Sequence, residues 1–189
     1  MPDFPSLYVP PHSITPFSFT EGLGKEFSSF ADASALMGSL ASATVIQNQA
    51  YYYPLFLPLP VMLKRFFWCN GATVAGNLDI AVYNYNLDKI IGAGATAQAT
   101  INALQFVDVT DTLIPAGRCW LGIASNSTTA TFLRTVIVSA LLMNILRALG
   151  MAIQASAYSA GLPAAATFAS AAGAGQQIIF CGFEIGKVT

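Results

Sequence analysis

Charge is what this sequence has least of. Asp, Glu, Lys and Arg together make up 9% of its 189 residues, where a soluble domain ordinarily carries about 25%. Hydrophobic residues make up 54%, and mean hydropathy is +0.58. A free-standing monomer needs a solvated surface, which so little charge does not furnish. Lipid or other protein subunits must therefore cover much of the chain. Net charge is −1, and Lys64-Arg65 is the only adjacent basic pair, which argues against nucleic acid as a partner.

Histidine and cysteine are scarce as well. His12 is the single histidine, and the three cysteines, Cys69, Cys119 and Cys181, lie far apart without a CxxC. Neither a structural zinc site nor a disulfide framework is expected. The cysteines read as small apolar side chains on strands in a reducing cytosol. The glycines of GAGAT, Gly92 to Thr96, are not followed by GK[ST] and read as a flexible hairpin, not as a phosphate loop. Among the acids, no pair or nucleophile–base set stands out as a hydrolase would need. Asp108 and Asp111 offer calcium ligands by type, but a turn-forming Asp and a solvated acid describe them better. The expectation is a protein without enzymatic activity, with no catalytic, cofactor or metal residues.

An uninterrupted apolar run is missing too. The best candidate, Val136 to Ile153, contains Ser139, Asn144, Arg147 and Gly150. A membrane span needs about 20 apolar residues, and a central charge costs at least about 2.5 kcal/mol. The leading MPDFPSLYVPP has an acid and prolines where a signal peptide has a basic and then an apolar stretch. No span is expected, and a membrane-embedded protein is the least favoured alternative. Burial against protein remains, which suggests a homo-oligomeric subunit, a trimer or a similar cluster, with wide apolar interfaces.

What is present is organised in two parts. Residues 1–46 read as an extended, Pro-rich N-terminal arm. Pro2, Pro5, Pro10, Pro11 and Pro16 forbid regular helix and disfavour central strands. Between them stand Phe4, Leu7, Tyr8, Val9, Ile14, Phe17 and Phe19, an apolar set foreign to disordered linkers and suited to an interface with a neighbouring subunit. Phe27 to Ile46 fits either a short helix or further irregular arm.

Residues 47–189 read as a β domain. Strands are expected over Gln49–Leu57, Val61–Cys69, Leu78–Asn84, Leu87–Ile91, Ala97–Val109, Arg118–Ala124, Ala130–Val138 and Ile178–Ile185. Pro54 marks the first as an edge or bulged strand. Leu78, Ile80 and Val82 alternate with Asp79, Ala81 and Tyr83, the period of a half-buried strand. Cys119, Leu121 and Ile123 likewise alternate with Trp120, Gly122 and Ala124, and Trp120 is expected to fill the core. Asp111 to Gly117 reads as a turn. One short helix is expected over Leu141–Ile153, its apolar face carrying Leu142, Ile145, Leu146 and Leu149 as interface residues. Gly161 to Gly175 reads as an Ala-, Gly- and Ser-rich loop. Short strands with regular turns indicate an antiparallel β-sandwich or jelly roll.

Tyr51 to Ala124 resembles the β-sandwich domains of tailed-bacteriophage virion proteins. The resemblance is carried by LDIAVYN at Leu78–Asn84, the long strand near Ala97–Val109, and LIPAGRCWLGIAS at Leu113–Ser125. Pro115, Gly117, Trp120, Leu121 and Ala124 fall where that family has its "L-x-P-G-x-YWLA" strand. Cys119 replaces a common aromatic and Gly122 a common alanine. Leu162-Pro163, before the last strand, also resembles family members. The resemblance implies a virion structural protein of the capsid decoration or head- or tail-fibre type. Its partners would be copies of itself and other virion proteins such as the major capsid protein, assembled in the host cytoplasm. A decoration or cement role is preferred, since no heptads suggest a long fibre. The alternative is a receptor-binding module that contacts host glycan through Tyr83, Asn84, Tyr85 and Asn86, with the polar loop Ser125 to Thr129 beside them. Aromatics also serve subunit interfaces, which is the preferred use here.

Overall fold

A computed structural model describes residues 26–28, 41–44, 49–136, 152–155, 161–168 and 177–186. The strands are β1 (Glu26–Ser28), β2 (Ala41–Thr44), β3 (Gln49–Leu57), β4 (Val61–Cys69), β5 (Asn77–Tyr83), β6 (Lys89–Gly92) and β7 (Thr96–Ala97). They continue with β8 (Leu104–Ile114), β9 (Gly117–Ser125), β10 (Thr131–Val136), β11 (Ala152–Ala155), β12 (Gln177–Ile179) and β13 (Cys181–Gly186). Together they form a mainly antiparallel β domain with three separate sheets. One is four-stranded (β1-β13-β4-β8), one three-stranded (β12-β10-β2) and one six-stranded (β11-β3-β9-β5-β6, with β7 also on β5). Among the described residues no helix is long and apolar enough to cross a membrane.

One core joins all three sheets. β3 supplies Tyr51, Tyr53, Leu55 and Leu57, β5 supplies Leu78, Ile80 and Val82, and β9 supplies Cys119, Leu121 and Ile123. β4 contributes Val61, Leu63, Phe66 and Trp68, and the shorter strands add Phe132, Ile179, Cys181 and Phe183. Plain alternation along β4 would turn Arg65 inward. A register irregularity against β8 between Leu63 and Arg65 instead lets both Leu63 and Phe66 face the core, as bulges do. Lys64 and Arg65 are thereby left outward, each with an acid of the same chain: Lys64 with Asp111 at 3.7 Å and Arg65 with Glu184 at 2.6 Å. The basic pair thus finds its acids within the chain.

Trp68, wholly buried, is held by the Asn70-Gly71 turn that follows it. Its indole N–H donates to Asn70 Oδ1 at 2.9 Å. The Asn70 amide donates to Thr100 O and to Gln105 Oε1, and Gln98 Nε2 donates to Asn70 Oδ1. A buried side-chain amide needs such partners, and these tie the 97–105 segment to the turn.

Several expectations are corrected. The strand expected over Ala97–Val109 is broken, because Asn102 takes a left-handed φ of 51° and β8 starts only at Leu104. The turn expected from Asp111 is shorter, because Leu113 and Ile114 still pair with Met62 and Val61. Gly117, with φ of 114°, then opens β9. Pro54 lies in an interior strand. Among the described residues β11 pairs with Gln49–Tyr52 and stops short of Pro54, which pairs with Trp120 of β9. Phe27–Ile46 contributes two short strands, β1 on β13 and β2 on β10. The expected helix Leu141–Ile153 lies outside the described residues except at its end, where Ala152 and Ile153 are strand, paired with Tyr52 and Tyr51. The arm residues Phe4, Leu7, Tyr8, Val9, Ile14, Phe17 and Phe19, the helix residues Leu142, Ile145, Leu146 and Leu149, and His12 lie outside the described residues.

Candidate functional site on the second face of the six-stranded sheet

The alternating strands are buried on both faces, not one. Opposite the main core, β3, β5 and β9 present Ala50, Tyr52, Ala81, Tyr83, Trp120 and Ala124, which form a second buried cluster with Leu162 and Ala166. Trp120 belongs here and not to the main core, whose tryptophan is Trp68. The face is built around Gly122. A Cβ there would stand 2.9 Å from Tyr52 Cε1 and 3.0 Å from Tyr83 Cε2, so only glycine lets both rings lie against the backbone. The rings meet edge to face at 5.4 Å between centroids, a favoured aromatic geometry.

A strap, residues 161–168, covers this face. The body grips its backbone atom by atom. Asp79 Oδ2 accepts the Leu162 N–H at 2.7 Å. Lys89 Nζ donates to Leu162 O at 2.7 Å, and Tyr83 OH donates to Pro163 O at 2.7 Å. The Lys89 N–H donates to Ala164 O, and the Ala166 N–H donates to Leu87 O, around an antiparallel bridge of Asp88 with Ala165. Phe168 closes the strap, its ring 5.0 Å from that of Tyr52 and 5.6 Å from that of Trp120. Gly161 enters with φ of 96°, and a Cβ on it would meet Asp79 Oδ2 at 2.8 Å.

Burial dominates the electrostatics here. Asp79 is 1% exposed. Desolvation raises its pKa above the usual carboxylate range, although the Leu162 N–H and Lys89 pull the other way. Burial also raises Tyr83 well above an ordinary phenol and Tyr52 to about 12. Backbone N–H groups of Gly94 and Ile80 also favour the Asp79 carboxylate, whereas Trp120 Nε1 is buried at this face with no hydrogen-bond partner among the described residues. Burial lifts the Cys119 thiol to about 12, so it serves as an apolar side chain. All three cysteines are free.

Beyond the strap the same face opens to solvent. Phe56 on β3 stands opposite Arg118 on β9, and Arg118 lies over the Trp120 ring at 5.2 Å. Tyr85 leans on Trp120 at 6.1 Å between centroids and is 70% exposed. Of the candidate glycan contacts, Tyr85 and the exposed Asn86 sit at this end. Tyr83 is wholly buried and presents no ring face to a sugar. Asn84 is turned to its own hairpin, its Oδ1 accepting the Asp88 N–H at 3.0 Å. The Ser125–Thr129 loop also spends polar groups internally: Ser127 Oγ accepts from the N–H groups of Thr129 and Ala130.

A different surface carries exposed apolar residues. Of the large exposed hydrophobics Phe56, Leu59, Tyr85, Ile101, Leu104, Phe106 and Leu113, the last four lie on β8 or in the loop before it. β8 is an edge of the four-stranded sheet. Phe106 stacks with Phe67 at 6.0 Å, and Arg65 covers its ring at 4.4 Å. Asp108 and Asp111 are exposed on the same strand. Among the described residues no three His, Cys, Asp or Glu side chains gather as metal ligands.

Asp79, Lys89, Trp120 and Phe168, like Tyr52 and Gly122, are participants that sequence reasoning did not assign to this site. The available signals were an acid between apolar neighbours on β5 and the Leu162-Pro163 pair. Compared with models of protein families, with curated proteins and with solved structures, the chain matches none.

Proposed function

We propose that this chain is a structural subunit of a bacteriophage particle, a capsid decoration or cement protein that stabilises the shell through subunit contacts. Its three sheets would form a jelly-roll-like sandwich around the shared core. The observation that carries the reading is the apolar β8 side, with Ile101, Leu104, Phe106 and Leu113 all 42–56% exposed in a chain with 9% charge. Covering what each of these side chains exposes is worth about 1 kcal/mol. Such small gains outweigh the cost of association when repeated over many contacts and copies. The 1–25 segment, with its apolar residues between prolines, would add contacts to copies of this chain and to the shell. Phage particles assembled without residues 1–25 should lose the subunit or burst at lower temperature. Unchanged occupancy and heat stability would refute the cement role.

One observation favours a second reading, a receptor-binding module. The Phe56, Arg118 and Tyr85 end joins exposed rings to a cation and to Asn86, the mixture of stacking and polar groups that sugars require. Tyr85→Ala should then abolish adsorption to host glycan without changing particle stability. Unchanged adsorption would remove this reading.

A further inference from the structure

We propose that in the free subunit residues 1–25 fold back over the outer face of their own four-stranded sheet and cover the apolar residues of β8, which meet the shell only when this arm leaves. The inference rests on the reading of the chain as an assembly subunit and adds how that subunit is kept from associating too early.

β8 turns Val107 and Val109 to the main core, so alternation sets Leu104 and Phe106 on the outer face of the sheet. That face has an aromatic floor: the Phe106 ring lies 6.0 Å from that of Phe67, which lies 6.1 Å from that of Phe180. Leu104 and Phe106 remain 50% and 42% exposed, and Ile101 and Leu113 extend the patch toward the two ends of β8. The chain itself delivers a cover. Residues 1–25 lead directly into β1, which is the far edge of this same sheet. Glu26 pairs with Glu184, Glu184 with Arg65 and Arg65 with Asp108, so the arm joins the sheet on a row that runs straight across to the middle of β8. Three strand spacings, about 14 Å, separate the two edges. Running the length of the 11-residue β8 takes about 37 Å more, and the 25 residues before β1 reach up to about 80 Å when extended. Composition fits the place as well. The apolar residues from Phe4 to Phe19 suit the patch, whereas the prolines among them lack the N–H needed to extend the sheet along the β8 edge, so the arm lies on the face. An uncovered apolar patch invites association, and a chain with 9% charge has little else to prevent it.

Photo-cross-linking tests this with full-length protein. Phe106 is replaced by the photoreactive p-benzoylphenylalanine, which keeps an aromatic ring at that place. Isotope-labelled and unlabelled protein are mixed in dilute solution and irradiated, and the linked peptides are identified by mass spectrometry. Position 106 should link to peptides from residues 1–25, with both partners of the same isotope. The same probe in place of Tyr85, on the other sheet, should not link to them. Phe17→Asp with Phe19→Asp should cut the yield at position 106 at least about tenfold, since burying even one phenylalanine is worth that factor, and should increase self-association in sedimentation velocity. Near-UV circular dichroism establishes folding, and Phe17→Ser with Phe19→Ser replaces the double aspartate if that variant unfolds. Links of mixed isotope would overturn docking on the chain's own sheet and assign the cover to a neighbour's arm. No link from position 106 to residues 1–25, equal linking from position 85, or a yield unchanged by the arm variant would overturn the docking itself. None of these readouts depends on phage particles, so absence of the chain from virions would refute the assembly reading separately.

Discussion

Asp79 gives the sharpest prediction. Its carboxylate is 1% exposed, accepts the Leu162 N–H through Oδ2, and has a pKa raised by desolvation. Asp79→Ala leaves a buried N–H without an acceptor, which costs about 1–3 kcal/mol. For a chain of this size each kcal/mol lowers Tm by about 2–4 °C. Asp79→Asn keeps an acceptor for Leu162 and removes the charge. The sign of the pH effect follows from linkage. A folded-state pKa above the unfolded value means that the folded chain favours the proton. That contribution is complete below the unfolded pKa of about 3.9 and is lost as pH rises through the raised folded value. Lys89 is the charged group that offsets it. Thermal unfolding of parent, Asp79→Asn and Asp79→Ala, followed by near-UV circular dichroism from pH 4 to pH 8, separates Asp79 from other titrating groups by difference. Asp79→Asn should gain on the parent as pH rises, and Asp79→Ala should stay below Asp79→Asn throughout. An Asp79→Asn minus parent difference that falls with pH would refute the reasoning, because it would mean that the folded state favours the charged carboxylate.

The remaining predictions concern packing and surface. Gly161→Ala forces a side chain into a left-handed backbone and against Asp79, and should cost about 1–3 kcal/mol, with increased acrylamide quenching of Trp120 as the strap loosens; unchanged quenching would contradict it. Asn70→Ala removes the acceptor of the buried Trp68 indole and the donor to Thr100 and Gln105, and should destabilise by about 2–4 kcal/mol in urea unfolding. Leu104→Ser with Phe106→Ser should weaken self-association in sedimentation velocity while leaving monomer Tm nearly unchanged. A large fall in monomer Tm would show that these residues serve the fold and not an interface.

Local pattern made some elements legible to the residue. Gln49–Leu57 and Val61–Cys69 are strands over the ranges their composition suggests, because tyrosine, phenylalanine and branched residues suit a pleated, buried surface. The alternation of Leu78, Ile80 and Val82 named the core-facing side of β5 correctly. It could not show that the other side is buried too, because the cover arrives from Gly161–Phe168, some 80 residues later. For the same reason Tyr83 read as a surface aromatic and Trp120 as a core residue. The apolar neighbours of Asp79 were only a weak sign of its role, since an acid on an alternating strand ordinarily faces solvent. Asn102 broke an apparently continuous strand by taking a left-handed conformation that asparagine tolerates, with the Asn70 side chain fixing the segment around it. The exposed apolar residues of β8 were not singled out, since Leu104 and Phe106 lay within an expected strand and Leu113 within an expected turn.

Cryo-electron microscopy of intact particles, with this subunit located in the density, tests the central claim most directly. The expected result is density on the shell at capsomer junctions, with the β8 side covered by a neighbour and residues 1–25 running onto adjacent subunits. Density confined to the tail or a fibre tip, with the β8 side facing solvent, would contradict it.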